Sequence, residues 1–275
     1  PAIARATALA GIGPYLSAAT LDALTLGLGD DNPQVRSAAV GVLEYTPAEL
    51  RARLAFPMLS DPLRAVRMEA ARVLASLPAG ELADDQRVLL DSGLQDYIGA
   101  QQAMAERPEA QTNLGNLYAG GGARDEAESA YRTAIELDPR YVPAYVNLAD
   151  FYRASGEEKA AEKVLRRAAE VNPQSADVQH ALGLSLVRQK RPDEALQAFR
   201  QASKLDPDNV RYIYVYAVAL NSTGKAQEAI MVLQGAHNAH PQNPDILSAL
   251  VAFHRDAGNQ EAARAYADKL RAIAP

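Results

Sequence analysis

Five prolines recur at one spacing in the second part of this chain: Pro139, Pro173, Pro207, Pro241 and Pro275, each 34 residues after the last. A fixed period of that size confines the fold to stacked helical units, each burying its apolar face only against its neighbours. Other positions keep the same phase. Ala127, Ala161, Ala195, Ala229 and Ala263 form one column, and Ala134, Ala168, Ala202 and Ala236 form another that ends in Leu270. Leu114, Leu148, Leu182, Tyr216 and Leu250 make a third; Tyr131, Leu165, Phe199 and Leu233 make a fourth that fades to Ala267. Gly122, Gly156, Gly224 and Gly258 share a fifth, broken by Lys190.

Each column has a physical reading. Alanine is expected where two helices cross closely and a longer side chain would push them apart. The columns of Leu, Tyr and Phe fall at helical spacing and supply the buried stripes. Glycine should close the first helix of each pair in the left-handed region, where there is no Cβ to clash. Proline follows the second helix, behind Asp138, Asn172 or Asp206, and cannot continue it.

The run Asn113-Leu114-Gly115-Asn116-Leu117-Tyr118, followed by Asp125-Glu126-Ala127, Tyr131 and Ala134-Ile135-Glu136-Leu137-Asp138-Pro139, resembles the tetratricopeptide repeat (TPR). The resemblance covers residues 108–275 as five repeats starting near Pro108, Val142, Ala176, Val210 and Pro244. No repeat carries the family's favoured Trp on its first helix, and Tyr145 is the nearest substitute.

A second period of 31 residues runs through the first hundred, linking Arg5, Arg36 and Arg67, then Ala8, Ala39 and Ala70, then Ile12, Leu43 and Leu74. Asp30-Asp31-Asn32-Pro33 and Asp61-Pro62 precede two of the copies. This is similar to the short form of the HEAT repeat, known from HEAT-like domains of phycobilin lyases, and the resemblance implies that Asp and Arg bond between neighbouring repeats. The arginines could instead form an anion-binding row, but carboxylates one turn away favour mutual satisfaction. Further helices are expected over 21–28, 48–59 and 82–90, the second shortened or kinked by Pro57. Residues 92–107 carry Gly93, Tyr97 and Ala100 in phase with the TPR columns and read as the second helix of an incomplete, capping TPR-like unit.

The expected fold is therefore all-α: a right-handed helical-repeat solenoid. HEAT-like repeats occupy 1–91, a transition or capping helix 92–107, and five TPRs 108–275. No Ser/Gly-rich or Pro-rich linker interrupts it, so one continuous curved body is expected. The opening Pro1-Ala2-Ile3-Ala4-Arg5 lacks an initiator Met and the form of a signal peptide, and a HEAT-like unit there would lack its first helix. The chain is expected to be part of something longer, in the cytoplasm or the periplasm.

Composition excludes more than it assigns. With no cysteine there is no thiol nucleophile, no Cys-ligated zinc and no Cys-x-x-Cys-His haem attachment in this sequence. A formal net charge of −6 without clustered Lys and Arg argues against nucleic acid. Lys163, Arg166 and Arg167 cluster on a second helix and read as a solvated face. No apolar run approaches the roughly 20 residues that span a bilayer, so no membrane insertion is expected. His237 and His240 could share a metal ion, but beside helix-ending Pro241 they are expected to complement the C-terminal dipole. Gly120-Gly121-Gly122 lacks the Gly-Lys-Ser/Thr ending of a phosphate loop and reads as a hairpin turn. Asp125-Glu126 and Glu157-Glu158 sit at helix N-termini, where they complement the dipole. No catalytic residue, cofactor or metal is assigned.

What remains is the surface. The TPR resemblance implies that the fifth, ninth and twelfth positions of each first helix line a concave groove. These are Thr112, Asn116 and Ala119; Val146, Asp150 and Arg153; His180, Leu184 and Val187; Tyr214, Val218 and Asn221; and Ser248, Ala252 and Arg255. The chaperone-type carboxylate clamp of the family keeps its asparagines here as Asn116 and Asn147. It has Thr112, Asp177 and Ala181 in place of its cations, so it loses its charge-assisted bonds. Asn113 and Asn147 share the position of an asparagine ladder that can hold a peptide backbone. The ladder stops at Ala181, Val215 and Ala249.

The expected function is a non-catalytic scaffold that binds a protein or extended peptide through Thr112, Asn113, Asn116, Asn147, Asp150, Arg153, His180, Tyr214, Asn221 and Arg255. The order of the two repeat types also resembles the C-terminal part of some bacterial exported multihaem c-type cytochrome proteins, and that resemblance implies the alternative: an accessory docking region of a larger exported multihaem c-type cytochrome or other redox enzyme. Leu270 and Ile273 at the last helix are expected to lie bare and to give weak self-association.

Overall fold

The computed structural model describes residues 1–77 and 82–273. The fifth column proline, Pro275, and Ala274 before it lie outside them. Among the described residues there are sixteen α-helices and no strand, so the chain is an all-α helical-repeat fold. It divides into two compact units, Pro1–Asp138 and Pro139–Pro275.

The first unit holds α1 (Ala2–Gly11), α2 (Ala18–Leu28), α3 (Pro33–Val42), α4 (Ala48–Ala55), α5 (Arg64–Leu74), α6 (Asp84–Gln102), α7 (Pro108–Gly120) and α8 (Arg124–Leu137). The 31-residue period places α1, α3 and α5 in series, each packed on the next, with α5 against α6. Ala39, Ala70, Leu43 and Leu74 are completely buried there, whereas Ala8 is exposed. Arginine ties the series together. Arg5 donates to Asp30 at 2.8 and 2.9 Å, and Arg36 to Asp61 at 2.7 and 3.0 Å. Arg36 and Arg67 also donate to the carbonyls of Asp30 and Asp61, each at 2.9 Å. The column is committed to its neighbours and is not an anion-binding row.

Two expectations about helix ends meet different fates. Pro57 stops α4 at Ala55, and a 3₁₀ turn over Phe56–Ser60 replaces its last turn. The helices expected over 82–90 and 92–107 are instead one, α6, running unbroken through Gly93 and ending at Gln102. Gly93 is no breaker because it is a contact. A Cβ there would lie 2.7 Å from the Cβ of Ala71, so glycine lets α6 close on α5.

The second unit holds α9 (Val142–Ala154), α10 (Glu158–Val171), α11 (Ala176–Arg188), α12 (Pro192–Leu205), α13 (Val210–Ser222), α14 (Ala226–Ala239), α15 (Pro244–Asp256) and α16 (Gln260–Ile273). The first helices of the five repeats begin at Pro108, Val142, Ala176, Val210 and Pro244, as the period predicts. Within this unit each second helix packs on its own first helix and on the first helix of the next repeat. The alanine column 127–161–195–229–263 is buried throughout. Gly156, Gly224 and Gly258 stand at φ 77, 80 and 78°, and Lys190 adopts φ 59° in the same place. The hairpin geometry is thus kept even where glycine is missing.

A size rule runs through the repeats. A Cβ on Gly115 would lie 2.5 Å from the Tyr131 ring, and one on Gly183 would lie 2.5 Å from the Phe199 ring. The positions 34 residues on from these glycines hold Ala149 and Ala217, where the ring is replaced by Leu165 and Leu233; the last repeat pairs Val251 with Ala267. Aromatic rings face glycine, and by sequence phase the other repeats set leucine against alanine and, in the last, alanine against valine. Summed volume stays nearly constant over the first four pairs while its distribution varies, as a close-packed interior requires, and it drops in the last pair.

Leu270 and Ile273, expected to be bare, are half-buried. On the second helices, Arg166 is not merely solvated: it donates to Glu162 and Glu194, and Arg191 bridges the same two carboxylates. His237 corrects another expectation. It is buried, its ring meets Tyr266 edge-on at 5.5 Å, and its Nε2 lies 3.0 Å from Lys269 Nζ. Burial, then the charge of Lys269, holds its pKa below the usual imidazole value. The His237 ring is thus engaged with the side chains of Tyr266 and Lys269 on α16.

Candidate partner-binding cleft

Helices α9 and α11 lie side by side as the first helices of consecutive repeats, and helical spacing decides what each turns toward the other. Val142, Val146 and Ala149 on α9 follow i, i+4, i+7, as do Asp177, Ala181 and Leu184 on α11, with Arg188 one turn further. These two stripes bound a cleft of about 400 Å³, joined by Leu165 of α10 and Arg211 of α13. Its walls are apolar through Val146 and Leu184 and polar through Asn147, Asp150, Asp177, His180, Arg188 and Arg211.

Most of the charge is already engaged. Asp150 accepts from Arg153 at 3.0 Å, and Arg188 donates to Glu158 at 2.7 Å. Asp177 accepts the Tyr212 hydroxyl; burial, followed by this bond, raises the Tyr212 pKa. His180 is different. Only 7% of it is exposed, its ring packs 5.0 Å from Tyr212 and 5.7 Å from Phe199, and neither ring nitrogen has a hydrogen-bond partner among the described residues. Burial, then the positive charge of Arg211, lowers its pKa, while Asp177 pulls the other way. An imidazole left with both nitrogens unsatisfied carries a desolvation cost that a polar partner would relieve.

Among the residues predicted for the groove, the structure brings Asn147, Asp150 and His180 together in this cleft. Arg153 serves Asp150. Tyr214 and Val218 on α13 and Val187 on α11 are exposed by 39%, 39% and 49%. Asn221 is half-buried; Arg255 is exposed, 3.7 Å from Asp256. In the first unit, Thr112 does not face outward: it is buried and its hydroxyl donates to the Pro108 carbonyl at 2.8 Å. Asn116 accepts the Tyr131 hydroxyl at 2.8 Å and Asn113 donates to Gln101 at 3.2 Å, so both amides have work inside their own unit. Sequence reasoning missed Arg188 and Arg211 as lining residues. The i, i+4, i+7, i+11 stripe on α11 could have found Arg188, whereas nothing in the groove positions pointed to Arg211.

No helix among the described residues is long and apolar enough to cross a membrane, and no group of three or more His, Asp or Glu among them could hold a metal ion.

Two family models match the chain. One, described as tetratricopeptide repeat, covers residues 118–184, and the other, anaphase-promoting complex, cyclosome, subunit 3, covers residues 154–236. No curated protein matches. Solved structures with a similar fold include MamA, 20% identical over 58% of this chain and 94% of that one, with a TM-score of 0.50. YrrB, described as a TPR protein with an unusual peptide-binding site, is 22% identical over 65% of this chain and 92% of its own, with a TM-score of 0.50. PilF of Pseudomonas aeruginosa is 24% identical over 61% and 77%, with the same TM-score of 0.50. Identities at this level speak for the fold alone. Between them, the two family models make residues 118–236 of this chain similar to tetratricopeptide-repeat proteins.

Proposed function

We propose that the chain is a protein-interaction scaffold whose first-helix face, from α9 to α15, grips an extended segment of another protein. The observation that carries this reading is the cleft between α9 and α11, with apolar walls and a buried His180 that lacks hydrogen-bond partners. Beside it, Val187, Tyr214 and Val218 leave an apolar strip uncovered on neighbouring helices. An extended chain suits such a surface because its backbone offers N–H and C=O groups at every residue while its side chains fill successive depressions. The peptide-binding site for which YrrB is known gives the reading a precedent on a similar fold.

A photo-crosslinking residue placed at Tyr214 should label peptides from a random extended library. The same residue at Met231, which is 62% exposed on the second helix α14, should label almost none. Equal labelling at the two positions, or labelling at Met231 alone, would overturn the proposal.

A further inference from the structure

We infer that α16 is released by acid: protonation of His237 undoes the grip that holds this helix, and the last repeat of the second unit opens. The inference does not depend on what the first-helix face binds. It starts from how little else holds α16. Ala263 is its one buried residue, against three on α10 and five each on α12 and α14. Where those helices bury Leu165, Phe199 and Leu233, α16 has Ala267. Its anchor is the residue before, Tyr266, gripped from two other helices. The His237 ring of α14 meets it edge-on at 5.5 Å, and the His254 ring of α15 stacks on it at 5.5 Å, 14° from parallel. Lys269, one turn further along α16, lies 5.1 Å from the centre of the Tyr266 ring and brings its Nζ within 3.0 Å of His237 Nε2.

An ammonium can only donate, so Nε2 accepts and the docked ring is neutral. A proton added at Nε2 replaces that hydrogen bond with two cations 3.0 Å apart. Lys269 is exposed and can swing into water, but the imidazolium stays where only 8% of His237 is exposed and where Nδ1 has no hydrogen-bond partner among the described residues. No carboxylate answers the charge. The one charged residue of α13 is Arg211; on α15, Asp245 stands in the first turn and Asp256 lies beside Arg255. On α16, Glu261 stands in the first turn and Asp268 is paired with Arg271. Lys269 is the charge that acts on the ring, and burial, then that charge, already lowers the His237 pKa. The sign follows: the hold on α16 is complete above about pH 6.5, the ordinary imidazole value, and is lost as pH falls from there through the lower docked value.

The test is regional hydrogen exchange of the full chain at neutral pH and at about pH 5, corrected for intrinsic rates. Amides of α16 should exchange about tenfold faster in acid, the factor that one unit of pKa displacement supplies, while those of α10 and α12 stay unchanged. His237→Phe keeps a ring against Tyr266 but cannot take up a proton, so in this variant the acid response should vanish. Should that variant lack native helicity by circular dichroism at neutral pH, an NMR titration of the unaltered chain decides instead: His237 must titrate over the same pH range in which α16 opens. Equal exchange of α16 at the two pH values would overturn the inference. So would an acid response that survives His237→Phe, a His237 titration displaced from the opening, or loosening of the whole second unit together.

Discussion

Where one 31-residue repeat of the first unit meets the next, Arg36 and Asp61 join at 2.7 Å with only 15% and 4% of their side chains exposed. Arg5 and Asp30 repeat the arrangement one period earlier. In the second unit, ion pairs also join repeats, Arg188 with Glu158 and Arg191 with Glu162, yet they do not recur. Steps of 34 residues take Glu158 to Pro192 and Glu162 to Leu196. What recurs there is volume: a ring over glycine, leucine over alanine. The first unit fixes register through paired charges, which tolerate no exchange of one partner alone. The second fixes it through summed volume, which can be divided between the two partners in several ways.

The sharpest way to break this comparison is Asp61→Ala. It strands the Arg36 guanidinium and removes the acceptor for the Leu63 amide. The expected loss is about 3 kcal/mol, the low end for cutting a buried pair. Asp30→Ala should lose much less, because Arg5 is 53% exposed and water replaces its partner. Urea unfolding followed by regional hydrogen exchange reads both, with the loosening confined to α3, α5 and α6. The hydrogen bond from Arg36 also holds the Asp61 carboxyl below its ordinary pKa. Its contribution is therefore present above the unfolded carboxylate pKa and is lost as pH falls through the folded one. Equal losses for the two variants would show that the charges do not set register.

The volume rule predicts a smaller effect with a distinctive signature. Gly183→Ala drives a methyl into the Phe199 ring and should cost about 2 kcal/mol, the usual penalty for an overpacked core. Phe199→Leu alone should cost about 1 kcal/mol through the space it leaves. Together they recreate the alanine–leucine pair of the neighbouring repeats and should cost less than either added to the other. A double-mutant cycle measures the coupling, expected at about 1–2 kcal/mol in favour of the pair. Strict additivity would mean that the matching sizes are coincidental.

Most of the architecture was legible because a repeat offers several chances to read the same signal. Proline, alanine and glycine columns agreed, and the first helices begin where they predict. The single chain of α6 was not legible. The sequence columns put Gly93 near the start of a separate capping helix, and only the approach of Ala71 shows why glycine is needed in the middle of one long helix. The groove was half legible. Family positions put Asn147, Asp150 and His180 on one face, but Thr112 is buried, its hydroxyl bonded to a backbone acceptor one turn back. Arg211 lies outside those positions and reaches the cleft from a third helix, a relation that spacing along one helix cannot express.

The smallest effect tests the one column that sequence showed to be broken. Lys190 takes φ 59° and closes its hairpin with bonds from its own amide to Val187 and from Arg191 to Leu186, at 2.9 and 3.0 Å. Gly156 and Glu157 make the same two bonds at 2.9 and 2.8 Å. The geometry is shared, so the difference is the Cβ alone, and a left-handed residue with a Cβ is strained by about 1 kcal/mol. Glycine would remove that strain while giving the unfolded chain more freedom. Lys190→Gly should therefore stabilise the second unit by about 0.5 kcal/mol, and Gly156→Ala, with no atom within 4 Å of the new methyl, should destabilise it by about 1 kcal/mol from conformation alone. Opposite signs in thermal unfolding would establish that backbone geometry, not side-chain contact, is what this column conserves. A loss from Lys190→Gly would instead assign the lysine side chain a contact of its own, and the hairpin would then be held in two different ways.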